Sequence, residues 1–213
     1  MEGQLWRSVL EFGARRAQGA SAAYVGAKYA VIAGCSGTSC YEAGKEYNVD
    51  LLGTMAHSHL MKYDNEYDAF LAYAKTFPNN SVFLIDTIDT INSGLVNAIK
   101  VHKEYLVPNG YRLKGVRLDS GDLAYLSKQV RKILDDAGFP DCKICVSNSL
   151  DEFLISSLLE QGAQIDTFGV GENLITSKST PVFGGVYKLV AVNENNKASP
   201  RIKISDNEIK ITN

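Results

Sequence analysis

The stretch GVRLDSGDLAYLSKQVRKILDDAGFP, residues 115–140, contains one complete strand-to-helix unit. GVRLD reads as a short apolar strand. Leu123, Leu126, Val130, Ile133 and Leu134 then recur at helical spacing, with Lys128, Arg131 and Lys132 between them, which predicts a helix over 122–137. Gly138 and Pro140 stop it. The turn between the two elements is Asp119, Ser120, Gly121 and Asp122, and Arg117 stands two places before the first aspartate. Carboxylates at such a strand end suit three uses: capping a helix, binding a metal, or holding a sugar.

The same alternation runs along the chain. The strand candidates are VLEFG (9–13), AVIAG (30–34), VDLLG (49–53), VFLID (82–86), GVRLD (115–119), KICVS (143–147), IDTFGV (165–170) and GVYKLVAV (185–192). Several are continuous apolar runs, as in strands covered on both faces. A helix over 149–161 opens on Ser149 and Glu152 at capping-box spacing. It carries Phe153, Leu154, Ser157 and Leu158 on one stripe and ends at Gly162. Segments 58–76 and 93–106 have weaker helical patterns.

Strand–helix alternation implies a parallel sheet. Eight strand candidates and seven spacers predict an α/β fold, a closed or nearly closed β/α barrel over 1–192, with a doubly wound open sheet as the alternative. Residues 193–213 are polar and less periodic, and are expected to form a C-terminal segment, the start of another domain.

Composition narrows the function. A chain of 213 residues buries a core without disulfides or metal. Its net charge of −2 gives no global case for nucleic acid or an anionic membrane. No apolar run approaches the roughly 20 residues of a membrane helix. The N-terminus lacks the basic-then-apolar pattern of a signal peptide, so a cytoplasmic protein is expected. Cys142 and Cys145 have zinc-pair spacing, but residues three apart on a strand face opposite sides, so buried thiols are expected rather than a metal or redox site.

Polar residues gather just after the strands. Asp86, Thr87 and Asp89 follow VFLI; Ser147, Asn148 and Ser149 follow KICV; Gly171 and Glu172 follow IDTFGV; His57 follows VDLLGTMA. In a β/α barrel these ends share one mouth, where active sites form. Each residue also has a structural reading. Asp89, Asp122, Asn148 and Ser149 suit helix caps, His57 suits a buried structural histidine, and FGVGE offers only G-x-G. Together, carboxylates suit vicinal hydroxyls or Mg²⁺, arginine suits phosphate, and glycine turns admit phosphate to backbone N–H groups. A histidine adds an acid, base or phosphate acceptor. The residues describe an enzyme acting on a phosphorylated sugar.

EFGARRAQG (11–19), GTMAHS (53–58), LIDTIDTINSG (84–94), GVRLDSGDL (115–123), FGVGENLIT (168–176) and GGVYKLVAV (184–192) resemble nicotinate phosphoribosyltransferase, in that family's order. The resemblance implies an irregular TIM-like β/α barrel of the type II phosphoribosyltransferase kind. It implies synthesis of nicotinate mononucleotide and pyrophosphate from nicotinate and phosphoribosyl pyrophosphate, a step of NAD salvage. ATP hydrolysis is coupled through a phosphohistidine, and Mg²⁺ assists. GTMAHS and GGVYKLVAV favour nicotinate over nicotinamide or quinolinate.

By the same resemblance His57 is the phosphorylated residue and Asp86 its acidic neighbour. Phe12 stacks on the pyridine, Arg15 contacts its neighbourhood and the pyrophosphate, and Arg117 and Asp119 hold pyrophosphate and ribose. Ser147 and Asn148 line the ribose, Gly169 and Gly171 form the turn near the 5′-phosphate, and Lys188 and Lys203 reach phosphates. Three positions depart from the family pattern: Ile88 replaces a tyrosine, Ser149 an acidic residue, and Cys40 an asparagine. The family's chains are much longer, so a fragment, a natural short form, or a chain completed by a second copy or a partner chain is expected.

Overall fold

The computed structural model describes residues 7–176, 188–194 and 196–201. In chain order the strands and helices are β1 (Ser8–Glu11), α1 (Ala20–Ile32), β2 (Gly37–Thr38), α2 (Tyr41–Tyr47), β3 (Asp50–Leu51), α3 (His57–Met61), α4 (Glu66–Thr76), β4 (Val82–Leu84), α5 (Leu95–Val101), β5 (Gly115–Leu118), α6 (Leu123–Asp136), β6 (Lys143–Val146), α7 (Glu152–Glu160), β7 (Thr167–Val170), α8 (Glu172–Ile175), β8 (Ala191–Glu194) and β9 (Lys197–Pro200). Two compact units divide the chain. The first takes residues 1–53, 119–128 and 143–184; the second takes 54–118, 129–142 and 185–213.

In the first unit five parallel strands run in the order β3-β2-β1-β7-β6. β1 occupies the middle, pairing Leu10 with Gly37 on one side and Ser8 with Thr167 on the other. Leu10, Ile144, Val146 and Phe168 are buried there. Ala27, Cys40 and Ala43 form a small core cluster against Ala14, Tyr24 and Tyr47. Cys145, in β6, is a buried thiol, as expected; Cys142, just before that strand and part of the second unit, is buried too.

In the second unit β4 and β5 pair in parallel, Val82 opposite Gly115. Phe70 of α4 stacks on Phe83 with ring centroids 4.7 Å apart, above fully buried Leu84, Ile85 and Leu95. β8 and β9 form an antiparallel hairpin. Parallel strands alternating with helices make this an α/β fold.

The structure corrects several sequence expectations. AVIAG is no strand: it belongs to the end of α1. Ala23, Ala27 and Ala30 are its buried stripe, and alanine is the strongest helix former, so small residues at helical spacing outweigh the local apolar run. β2, only two residues long, carries too little pattern to find. In GVYKLVAV the strand begins only at Ala191, residues 188–190 are outside it, and 185–187 lie outside the described residues.

The helix predicted from 149 starts later. Asp151 caps α7, its carboxylate accepting from the Leu154 N–H at 2.8 Å, while Ser149 sits exposed in a left-handed conformation (φ 49). The predicted stripe is only partly buried. Leu158 is inside, but Phe153 is 70% exposed. Asp122 does cap α6, accepting from the Tyr125 N–H at 2.9 Å. Asp89 likewise accepts from the Ile91 and Asn92 N–H groups at the start of a π-helical turn over Thr90–Gly94.

His102, in the π-helical turn after α5, is 2% exposed, and its Nδ1 accepts from the Leu113 N–H at 3.0 Å. That bond needs the neutral ring. Burial, reinforced by the Arg112 charge, holds its proton affinity below the ordinary 6.5. The unfolded chain therefore takes up this proton first, and stability is expected to fall as pH drops below about 6.5. Unfolding midpoints measured from pH 8 to 5 test this; in His102→Gln the acid limb should flatten, and an unchanged limb rules the residue out.

Candidate active site

Strand β1 ends at Glu11, and the two residues after it shape the edge of the site. The Phe12 N–H donates to the Val170 carbonyl at 2.7 Å, extending the β1–β7 ladder by one residue. Phe12 then lies against Gly169: a Cβ there would sit 2.5 Å from its ring. A Cβ on Gly171 would sit 2.9 Å from the Phe12 carbonyl oxygen. Both glycines are close-approach positions. Gly169 lies within β7 rather than in a turn, which corrects the expectation of a glycine turn spanning both.

Glu11, which no sequence pattern singled out, is fully buried. Its Oε2 accepts from the Thr38 hydroxyl at 2.5 Å, and its Oε1 accepts from the Gly13 N–H. The carboxylate pins the turn that carries Phe12. A charged residue inside the apolar run VLEFG was the available signal, because buried carboxylates are rare unless paired. Glu11→Ala is expected to destabilise the chain by roughly 3 kcal/mol, since two buried donors lose their acceptor. A Tm within a degree of wild type would refute this.

Arg15 lies in the short 3₁₀ turn Ala14–Arg16 and is exposed. Its neighbour Arg16 pairs with Glu172 at 3.3 Å. Across the same unit, the Ser147 hydroxyl donates to Asp119 Oδ1 at 2.5 Å, so the residues after β5 and β6 are joined. Asn148 is exposed with φ 98, and Asn173 donates to the Ser149 and Leu150 carbonyls at 2.9 and 3.2 Å, holding that loop. Of the three departures, Cys40 packs in the Ala27–Ala43 cluster, Ser149 contributes its carbonyl to the loop, and Ile88 is 53% exposed.

The second unit holds His57, Asp86, Arg117 and Lys188. His57 opens α3, and its Nε2 lies 3.3 Å from Asp86 Oδ1, just past β4. The Asp86 side chain is 2% exposed, so the pair is largely withdrawn from water. Arg117 faces across β5 and donates to the Thr54 hydroxyl. Thr54 belongs to GTMAHS, a motif in which the sequence pattern points only to the histidine. Lys188 is half-buried in the stretch before β8. Lys203 lies outside the described residues.

Each unit thus brings together part of the expected set. Phe12, Arg15, Asp119, Ser147, Asn148, Gly169 and Gly171 belong to the first; His57, Asp86, Arg117 and Lys188 belong to the second. Chemically, the first offers an aromatic face, an exposed guanidinium and a hydroxyl-anchored carboxylate. The second offers an imidazole whose Nε2 lies 3.3 Å from a buried carboxylate, a pairing of residue types suited to proton or phosphoryl transfer.

Comparison with known proteins places these residues in context. The model of the nicotinate phosphoribosyltransferase (NAPRTase) family matches residues 8–212. The chain is 52% identical over 205 residues to nicotinate phosphoribosyltransferase of Bacillus subtilis, covering 95% of this chain and 41% of the relative. It is 30% identical to the human nicotinate phosphoribosyltransferase, covering 97% and 47%. The crystal structure of the human nicotinic acid phosphoribosyltransferase superposes with a TM-score of 0.72 at 27% identity, over 78% of this chain and 44% of that one. The chain therefore spans less than half the length of these relatives.

Proposed function

The chain belongs to the nicotinate phosphoribosyltransferase family, and on that basis we propose that it joins nicotinate to phosphoribosyl pyrophosphate. The products are nicotinate mononucleotide and pyrophosphate, in NAD salvage, with ATP hydrolysis coupled through phosphorylation of His57. The observation that carries this reading is the His57–Asp86 contact of 3.3 Å at the head of α3. Its parallel sheet is read as part of a TIM-like barrel, and a second copy or a partner chain as what completes the site. Its compartment is read as the cytoplasm; among the described residues no helix is long and apolar enough to cross a membrane.

In this reading the Asp86 carboxylate, 3.3 Å from Nε2 of His57, favours the tautomer protonated at Nε2 and leaves the lone pair on Nδ1. Nδ1 attacks the γ-phosphorus of ATP, the N–P bond forms, and the β–γ bridging oxygen leaves with its electron pair as ADP. In the synthetic step the ribose C1′ becomes oxocarbenium-like as pyrophosphate departs. Asp119, anchored by Ser147, receives the ribose hydroxyls and positions that centre. Arg15 and Arg117 stabilise the charge that develops on the leaving pyrophosphate. Phe12 gives the pyridine a flat apolar face. Ser147 and Asn148 line the ribose, the backbone beside Gly169 and Gly171 admits the 5′-phosphate, and Lys188 contacts phosphate.

Among the described residues no three His, Cys, Asp or Glu side chains gather as a metal cage. Mg²⁺ suits a different role here, since it is commonly held by one or two carboxylates plus substrate phosphates. Asp119, the carboxylate read as meeting the ribose, is of that kind, and the ion would neutralise pyrophosphate charge. Nicotinate mononucleotide formation by the purified chain, with and without ATP, tests the reading. Calorimetric binding of phosphoribosyl pyrophosphate without turnover would identify instead an inactive chain that retains the ligand, a reading favoured by the departures at Ile88, Ser149 and Cys40.

A further inference from the structure

Helix α8 is four residues long, Glu172–Ile175, and three of its side chains hold neighbouring segments of the first unit. Asn173 Nδ2 donates to the Ser149 carbonyl at 2.9 Å and to the Leu150 carbonyl at 3.2 Å. Glu172 pairs with Arg16 Nε at 3.3 Å. Ile175 fills the space beside two glycines: a Cβ on Gly13 would sit 2.6 Å from its side chain, and one on Gly26 of α1 would overlap it.

The segments on its two flanks need holding for different reasons. In the loop after β6, Asn148 and Ser149 are consecutive non-glycine residues with φ of 98 and 49. Such backbone is costly for a residue with a Cβ and persists where its neighbours fix it. Asn173 fixes it at two successive carbonyls, Ser149 and Leu150. Ser147, just before, carries the hydroxyl that donates to Asp119. On the other flank is the turn Ala14–Arg16. Three contacts bracket it: the Phe12 carbonyl against Gly171, Gly13 against Ile175, and Arg16 with Glu172. Arg15 lies between the second and the third.

We propose that α8 is a two-armed bracket, in which Glu172 and Asn173 are positioning residues for different substrates. Glu172 fixes the turn that carries Phe12 and Arg15, the pyridine side. Asn173 fixes the loop that carries Ser147 and Asn148, the ribose side. Successive residues of a helix point about 100° apart, so one short helix serves both segments. The naming of the two substrates rests on the proposed reaction; the holding of the two segments does not.

Two measurements on the purified chain test this. In kinetics, Asn173→Ala should raise KM for phosphoribosyl pyrophosphate about three- to tenfold and leave KM for nicotinate within about twofold. Glu172→Ala should raise KM for nicotinate about three- to fivefold and leave KM for phosphoribosyl pyrophosphate within about twofold, with kcat falling because Arg15 shares the turn. Glu172→Gln, whose amide oxygen still accepts from Arg16, should recover most of that loss; Asn173→Asp, which has the shape but no donor, should recover none. In NMR of the ligand-free chain, Asn173→Ala should lower backbone order parameters at 148–150 from about 0.85 toward about 0.6, with 12–16 unmoved, and Glu172→Ala should do the reverse. Glu172→Gln and Asn173→Asp carry the test where an alanine variant fails to fold. Both KM values rising together, or unchanged order in both segments, overturns the proposal. Segment-selective loosening in a chain without turnover would retain the bracket and remove the proposed reaction instead.

Discussion

Asp119→Ala should lower kcat/KM for nicotinate mononucleotide formation by about 10²–10³-fold, while Ser149→Ala stays within about twofold. Asp119 directly follows β5, and its carboxylate is already oriented by the Ser147 hydroxyl at 2.5 Å. A pre-oriented acceptor holds the ribose hydroxyls at no further ordering cost as C1′ gains positive character. Ser149 differs in kind. It is exposed, adopts the left-handed conformation, and contributes its carbonyl to Asn173. Truncating its hydroxyl leaves that contact intact. Steady-state kinetics on both variants decide the matter, and equal losses would mean that the ribose contact has been assigned to the wrong loop.

His57→Ala should abolish the response to ATP altogether while sparing a residue of uncoupled synthesis. Labelling of the chain by γ-labelled ATP should fall at least about 100-fold, because the variant lacks the imidazole read as the phosphate acceptor. The apparent KM for phosphoribosyl pyrophosphate should then be the same with and without ATP. Asp86→Asn keeps the size of the neighbour but loses its charge, so labelling should drop by an intermediate amount. An alanine variant in which ATP still lowers the substrate requirement would remove His57 from the coupling.

Much of the scaffold could be read in the sequence, for reasons that differ by element. α6 was clear because a strong amphipathic repeat is bounded by Asp122 at one end and Gly138 at the other. β4 and β5 were clear because buried parallel strands are continuous apolar runs. α1 was missed because its buried face is alanine, which resembles neither a strong helix stripe nor a strand. The cap of α7 was misplaced because Ser149 has a glutamate three places on, Glu152, whereas Asp151 caps through the backbone N–H of Leu154 alone, which leaves no side-chain signature.

The candidate site was legible as residue types after strand ends, together with a family resemblance. Thr54 and Asn173 were not, and Glu11 showed only as a charge inside an apolar run. Each acts through a contact with a residue distant in sequence or with a backbone group, and such contacts leave no periodic trace.

The place of β1 in its sheet has a consequence for biosynthesis. Ser8 pairs with Thr167 and Glu11 with Val170, so β1 waits for a strand made far later. Until β7 leaves the ribosome, β1 offers an unpaired edge, and Phe12 lacks the glycine surface on which it rests. Pairings between such distant segments form slowly, and open strand edges invite association with other chains. A nascent chain arrested before Gly169 would keep most of its helices yet lack the aromatic platform, and chaperone demand should concentrate in that interval of synthesis.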